Sequence, residues 1–468
     1  MAPASFARAA AAAALLLASV TAVRAQTGQT AQIPLQFDFL NPGAHSLALG
    51  SAFVAVAEDA TTAFTNPAGL TLTYRPEISA EMRYRALDTP YLSGGRLSGK
   101  PSGYGLDVID GRTYGISADS ALRPYFIAFV YPIKRRKRVP EDGGEKGVPA
   151  AVQENSGWSI AAYRHELVLQ TNSFLSQGPF YSAGGVIPNA RLFGLVGDRD
   201  IRLVTYGASA AYKVSEHLSL GEGVIFYRFS LDSHFASLGF TGNSFSPVDV
   251  QSAGQRSTTQ QGGGGTQAAI NLGALVTVNP AFRIGAVYRQ SASFLFTETN
   301  NVPDTPTAVR EGTFRTPGVV GVGARLQPWT AWTFSVDYDR VQYSHLTTHF
   351  VTFQVDPSVV DRVTIPDGNE VHFGAEYSFS ERASYLALRG GIWFDPNHSI
   401  QYTSDGTGSD LDTRLKAVFP GGENAWHYCG GFGITLSRAV EVNVGADFTS
   451  QRKYASASIV ARFGKPRT

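Results

Sequence analysis

Beyond about residue 76 the chain alternates apolar and polar side chains in runs of roughly ten residues, the repeat of a half-buried strand that spans a bilayer. The clearest run covers residues 440–449. Val440, Val442, Val444, Ala446 and Phe448 share one face, and Glu441, Asn443, Asp447 and Thr449 share the other. Trp332, Phe334, Val336 and Tyr338 likewise oppose Thr333, Ser335, Asp337 and Asp339, and Val371, Phe373, Ala375, Tyr377 and Phe379 oppose His372, Glu376 and Ser378. The pattern predicts fourteen strands, near 77–87, 123–133, 157–169, 201–213, 218–232, 264–278, 282–297, 314–326, 331–345, 370–379, 384–394, 426–436, 440–450 and 453–463.

A water-soluble sandwich would alternate in the same way, so the connections decide. Five are tight turns: Val214-Ser215-Glu216-His217, Asn279-Pro280-Ala281, Gln327-Pro328-Trp329-Thr330, Ser380-Glu381-Arg382 and Ser437-Arg438-Ala439. Between them lie long polar stretches at 88–120, 170–200, 233–263, 298–313, 346–369 and 395–425. All the tight turns fall on one side of the sheet. Transmembrane barrels pair short periplasmic turns with long external loops, and an even strand count returns the C-terminus to the periplasm. The predicted fold is therefore all-β, a 14-stranded antiparallel transmembrane β-barrel over residues 76–463 with a tail at 464–468. Two connections depart from the rule. The stretch 134–156 is long although its parity is periplasmic, and it opens on Lys134, Arg135, Arg136, Lys137 and Arg138. Such a charge run reads as a solvated loop, with attraction to anionic head groups as the alternative. The last external loop, at 449–452, is short.

Residues 1–25 read as a secretory signal: Arg8, an apolar stretch at 9–20, then Val23-Arg24-Ala25 before a mature start at Gln26. Export followed by insertion as strands predicts the outer membrane as location. Lys+Arg 39 against Asp+Glu 38 leaves a net charge of +1, which argues against a nucleic-acid partner. The one cysteine, Cys429, cannot form an internal disulfide. Gly 49 and aromatics at 12% suit close, tilted strands with aromatic girdles.

Residues 26–75 do not alternate. They are compact and mostly apolar, with a short helix predicted over 59–64 that Thr65 and Asn66 leave ahead of Pro67. An apolar segment beside a barrel has one large place to bury itself, the lumen. A 14-stranded lumen is wider than side chains alone can fill, since about eight strands already hold them comfortably. The segment is therefore expected to be a partly helical hatch, which makes the lumen a gated, partly apolar pocket suited to hydrophobic cargo.

Several stretches resemble the FadL/TodX family of outer-membrane long-chain fatty acid and hydrocarbon transporters. Gly43-Ala44-His45-Ser46 through Asn66-Pro67-Ala68-Gly69-Leu70 is similar to the family's hatch. The likeness continues through residues 282–289, Thr316-Pro317, Gly323, Trp332, Asp337-Tyr338, Ala387-Leu388-Arg389-Gly390-Gly391, Asp395-Pro396 and residues 428–433. Ser51 and Thr65 depart from the hatch pattern, at places where a glycine and an aromatic are common. The resemblance implies capture of a hydrophobic ligand at the outer face, a shift of the hatch, and escape sideways through a kinked strand into the bilayer. It also places the gating motif on Asn66, Pro67 and Ala68. The same tripeptide at 279–281 sits in a tight turn and carries no such meaning. The final strand, with Ala455, Ala457, Ile459, Ala461 and Phe463 facing lipid, resembles the signal read by the barrel-assembly machinery.

Other chemistry is thinly supported. His427 and Cys429 share an inward face, but strand neighbours often do, and the histidine spacing shows no ligand set. Gly262-Gly263-Gly264-Gly265 lacks the following Lys-Ser/Thr of a phosphate loop. Tyr338, Tyr377, Phe379 and Trp393 read as girdle or wall residues. Arg83, Arg85 and Arg389 face the lumen by alternation and could anchor a ligand carboxylate, or pair with Glu81, Asp337 or Glu376 as a wall network. The expectation is a monomeric, passive transporter of long-chain fatty acids or similar hydrophobic molecules, without catalytic residue, metal or cofactor. The rival is a non-transporting barrel of the wider family that holds type IX secreted proteins at the surface.

Overall fold

Lipid offers backbone N–H and C=O groups no partners, so a spanning sheet must close on itself. This one does. The computed structural model describes residues 39–98, 108–138, 151–176, 180–181, 190–191, 194–239, 254–347, 362–381, 384–404, 406, 421–437 and 439–464. The expected signal segment and residues 26–38 of the expected hatch lie outside the described residues.

Fourteen strands form the wall. They are β1 (Glu77–Ser98), β2 (Val108–Arg138), β3 (Ala151–Ser176), β4 (Gly194–Lys213), β5 (Leu218–Gly239) and β6 (Gly254–Asn279). Then come β7 (Phe282–Arg289 with Ser293–Asn301), β8 (Ala308–Arg315 with Val319–Trp329), β9 (Trp332–Val341) and β10 (Gly368–Glu381). The last are β11 (Ser384–Asp395), β12 (Ala425–Ser437), β13 (Val440–Phe448) and β14 (Arg452–Arg462). Neighbours are antiparallel throughout, and β14 returns to β1 with Glu77 opposite Arg462 and Leu87 opposite Arg452. Alternation sorts the faces as the sequence pattern requires. Trp332, Phe334, Val336 and Tyr338 are exposed toward lipid, whereas Ser335 and Asp337 are buried inside.

The structure departs from the sequence pattern in length. Strands β1 to β6 hold 22, 31, 26, 20, 22 and 26 residues, and crossing a bilayer takes only about 9–11. Much of 88–120, 170–200 and 233–263, expected as loop, is therefore paired strand. Beyond the lipid a strand's outer face needs no apolar residues, so alternation falls silent where pairing continues. The basic run is corrected for the same reason: Lys134 pairs with Asn155 and Arg138 with Ala151, prolonging the β2–β3 hairpin.

β7 and β8 are each interrupted, at 290–292 and 316–318. Pro317 cannot donate to a ladder. The Thr316 hydroxyl accepts from Ala292 N at 2.8 Å, and Thr316 N donates to Ala292 O at 2.9 Å, so the break remains hydrogen-bonded.

Inside the barrel lie α1 (Ala44–Ala48), α2 (Thr62–Thr65) and a 3-10 helix (Pro67–Leu72). Every residue from Asn41 to Ala57 is buried. The helix expected over 59–64 covers Thr62–Thr65 instead, and only Asn66 leaves it, with φ −152°. Proline constrains the one residue before it, so Thr65 keeps its helical turn.

Candidate functional site

The plug approaches the wall at backbone distance, because the wall there is glycine. Four pairs of inward glycines face each other across neighbouring strands: Gly221 with Gly273, Gly285 with Gly323, Gly374 with Gly391 and Gly431 with Gly445. A Cβ on Gly221 would stand 2.3 Å from Ala68 N, one on Gly391 2.3 Å from Gly50 N, and one on Gly445 2.3 Å from Ala44 O. On Gly285 it would stand 2.5 Å from Val54 O. No real Cβ fits at such distances, so the glycines are a seat for the plug. Sequence reasoning missed them, since the pairs become visible only once register is known.

Between the glycines, wall side chains satisfy the plug's backbone. Glu81 Oε2 accepts from Gly43 N at 2.6 Å, Asp337 Oδ2 from Val54 N at 2.7 Å and Glu77 Oε1 from Ala60 N at 2.7 Å. Ser209 Oγ donates to Ala63 O and Asn271 Nδ2 to Phe64 O, both at 2.8 Å, and His372 Nδ1 lies 2.8 Å from Gly50 O. Buried backbone groups demand such partners, and carboxylate acceptors make the stronger bonds. The two β1 carboxylates also hold the last strand. Glu81 Oε1 accepts from Ser456 Oγ at 2.6 Å, and Glu77 Oε2 accepts from Arg462 Nε at 2.9 Å.

Asn66, Pro67 and Ala68 form one buried joint. Asn66 Nδ2 donates to Val54 O at 2.8 Å and to Ala274 O of β6 at 3.2 Å, while its Oδ1 accepts from Ala68 N at 3.2 Å. Pro67 opens the 3-10 helix, where a missing N–H does no harm. The side chain thus ties the plug's two halves to the wall. The arginines lie elsewhere in the lumen, and each has a carboxylate partner. Arg83 meets Glu81 at 2.7 Å, Arg85 meets Asp119 at 2.5 Å and Arg389 meets Glu376 at 2.7 Å. Asp337, grouped with these arginines on sequence grounds, instead accepts from the plug.

Two cavities flank residues 39–41. The larger is walled by Arg83, Leu87, Tyr125, Leu167 and Val168; the smaller by Val54, Val287, Arg289, Asp339 and His372. Leu40 lines both. The wall beside the larger cavity is split. The β2–β3 ladder ends at Phe126 opposite His165. Beyond it β2 pairs with β1 as far as Val108, and β3 pairs with β4 as far as Ser176. Ladder irregularities sit at Tyr125 and Leu167. In the split, side chains replace ladder bonds: Ser117 Oγ accepts from Ser173 N at 2.9 Å, and Asp119 Oδ2 from Thr171 N at 3.2 Å.

His427 and Cys429 do not form a nucleophilic pair. His427 Nδ1 lies 2.7 Å from Asp447 Oδ1, and its ring stacks on Trp393 at 3.7 Å. Cys429 packs against the cluster of Leu40, Leu47, Trp393 and Tyr454. Trp393 is thus a lumen residue, 2% exposed, and lies away from the lipid girdle. Among the described residues no group of three or more His, Cys, Asp or Glu side chains could hold a metal ion.

Comparison with known proteins agrees with the architecture. The barrel superposes on a Pseudomonas aeruginosa FadL homologue with a TM-score of 0.60 at 14% identity, covering 91% of this chain and 100% of that one. It matches the Ralstonia pickettii toluene transporter TbuX at TM-score 0.53 and 16% identity, covering 91% and 100%. For the Pseudomonas putida toluene transporter TodX the values are 0.50 and 11%, covering 92% and 100%. At these identities the likeness speaks for the fold. Among curated proteins none matches the chain. The profile of the family described as outer membrane protein transport protein (OMPP1/FadL/TodX) matches residues 189–453, more than half of the sequence. A closed barrel of fourteen strands around an inserted N-terminal segment, together with that match, makes the chain a member of the OMPP1/FadL/TodX family of outer-membrane transport proteins.

Proposed function

We propose that this barrel carries long-chain fatty acids or similar hydrophobic molecules passively across the outer membrane, with residues 26–75 as its hatch. The observation that supports this most is the pairing of a sealed lumen with a split wall. A solute meeting the buried plug cannot pass straight through, yet beside the larger cavity the β2–β3 ladder has already parted. The preferred route therefore enters the cavity from outside, shifts the plug and leaves sideways between β2 and β3 into lipid. Leu167 and Val168 line the cavity with apolar side chains, so the exit is greasy. Asn66, Pro67 and Ala68 act as the gating joint, since a plug that shifts must break the Asn66 bonds to Val54 and Ala274. Arg83, Arg85 and Arg389 serve the wall through their carboxylate partners. Residues 1–25 direct export and are removed, the terminal strand ending at Phe463 guides assembly, and the barrel works as a monomer without covalent chemistry.

Uptake of labelled oleate by cells with and without the chain tests the reading, alongside an Asn66→Ala/Pro67→Ala variant. Deletion is expected to lower uptake several-fold, and the variant to change its rate. Uptake indifferent to deletion ends the transport assignment; a variant with wild-type rate removes the gating role from the joint.

A further inference from the structure

On the side of the tight turns one hairpin outgrows the wall. The β1–β2 ladder starts at Glu77 opposite Val130, and the β3–β4 ladder at Trp158 opposite Tyr212. Residues 134–138 and 151–155 lie beyond both, and among the described residues they pair only with each other. The departure point is a bulge. Ile133 has three residues opposite it, Ser156, Gly157 and Trp158. Gly157 takes φ +84°, and Ser156 Oγ donates to Ile133 O at 2.6 Å while accepting from Trp158 N at 3.3 Å. A bulge bends the strand that carries it, so a two-stranded ribbon turns off the line of the wall.

The turn falls at the edge of the bilayer. Tyr131, Ile133, Trp158 and Tyr212 are exposed on the outer face, and the Trp158 and Tyr212 rings lie 4.7 Å apart. Aromatic side chains in such a belt mark the head-group level. The five residues after Ile133 are all basic: Lys134, Arg135, Arg136, Lys137 and Arg138. Their register partners are Asn155, Glu154, Gln153, Val152 and Ala151, so one acid answers five cations. The acids of the connection, Glu141, Asp142 and Glu145, come only after the paired residues in the chain. By itself the ribbon is costly. Two strands alone are marginally stable in water, and like charges at neighbouring positions repel. An anionic surface at the height of the aromatic belt relieves both costs.

We propose that this ribbon docks the barrel onto anionic phospholipids of the periplasmic leaflet, its five cations meeting head-group phosphates. That leaflet is built of glycerophospholipids, some carrying net negative charge, and each basic residue near such a surface adds to the attraction. Placement separates the ribbon from a solvated charge run: the cations begin at the first residue past the lipid-facing wall and end before the acids begin. The proposal does not depend on what passes through the lumen.

The test uses the purified full-length barrel in detergent micelles, titrated with phosphatidylglycerol or phosphatidylethanolamine of equal acyl chains, with bound lipid counted by native mass spectrometry. Wild type is expected to hold the anionic lipid at least about tenfold more tightly, and raising salt from about 50 to about 500 mM is expected to remove most of that preference. K134Q/R135Q/R136Q/K137Q/R138Q is expected to bind the two lipids alike, whereas R135K/R136K/R138K, which keeps the charge, retains the wild-type preference. A wild-type barrel without preference overturns the docking, as does a glutamine variant that keeps it while heat-modifiable mobility shows it folded. If the glutamine variant does not fold, the salt series decides, because a preference that survives high salt is not electrostatic and overturns the proposal. Loss of preference in the lysine variant overturns it equally. In cells, a photoreactive side chain at position 137 is expected to capture labelled phospholipid; capture of protein alone would make the ribbon a protein-docking site and end the lipid assignment.

Discussion

Gly390 and Gly391 are consecutive on β11, and alanine at the two positions should have opposite consequences. Gly390 faces outward with nothing within 4 Å of an added Cβ; on Gly391 that Cβ would stand 2.3 Å from Gly50 N and 2.4 Å from Leu49 C. Both obstacles are backbone, so no rotamer relieves them. To reach ordinary contact at 3.4 Å the plug must retreat by about 1.1 Å. The bond from His372 to Gly50 O, now 2.8 Å, would stretch to about 3.9 Å and cease to be one. Overpacking costs about 1–3 kcal/mol, and a buried carbonyl left without its donor about 1–3 kcal/mol more. Partial relaxation puts the net at about 2–4 kcal/mol against the seated plug, a shift of about 30- to 700-fold in its equilibrium. Cys429 is the natural reporter: it is the lone cysteine, it faces Gly391 in register and it packs in the Leu40–Trp393 cluster. Its maleimide labelling is expected to accelerate by about 30- to 700-fold in Gly391→Ala and to stay at the wild-type rate in Gly390→Ala. Heat-modifiable mobility on gels should show both barrels folded. Equal labelling of the two variants would refute the glycine seat, because alanine changes strand propensity alike at both positions.

Other outcomes follow from the same contacts. Asp337→Ala removes a carboxylate acceptor from Val54 N, worth roughly 1.5–3 kcal/mol, so exchange of that amide should quicken by one to two orders while outer-strand amides keep their protection. Arg83→Met strands Glu81 in the wall and is expected to destabilise the barrel by roughly 3–5 kcal/mol, read as a lower urea midpoint; an unchanged midpoint would show that the pair is dispensable. Val168→Trp fills the larger cavity beside the split, so flux of oleate should fall at least tenfold with Cys429 labelling unaltered. Flux at the wild-type rate would move the exit elsewhere.

How much of this was legible in the amino-acid order depends on what lipid imposes. Bilayer contact forces alternation on Trp332 to Tyr338 and on Val440 to Phe448, and turn parity then gave an even, closed sheet. Outside the bilayer that pressure ends, which is why the upper reaches of β1 to β6 read as loop. The plug was visible as an apolar segment lacking the two-residue repeat, and Asn66 as the residue before a proline just ahead of the first strand. The seat was not. Gly221 and Gly273 are 52 positions apart and meet only through register.

The two seam carboxylates have a bearing on biogenesis. Glu77 and Glu81 each grip the plug with one oxygen and the C-terminal strand with the other. A nascent chain arrested before Ser456 lacks the Ser456 and Arg462 donors, so the two carboxylates that receive the plug at the seam are not yet held from the far side. Sealing is thereby deferred until the last hairpin arrives, and a cylinder that has not finished zipping announces itself by an unsecured interior.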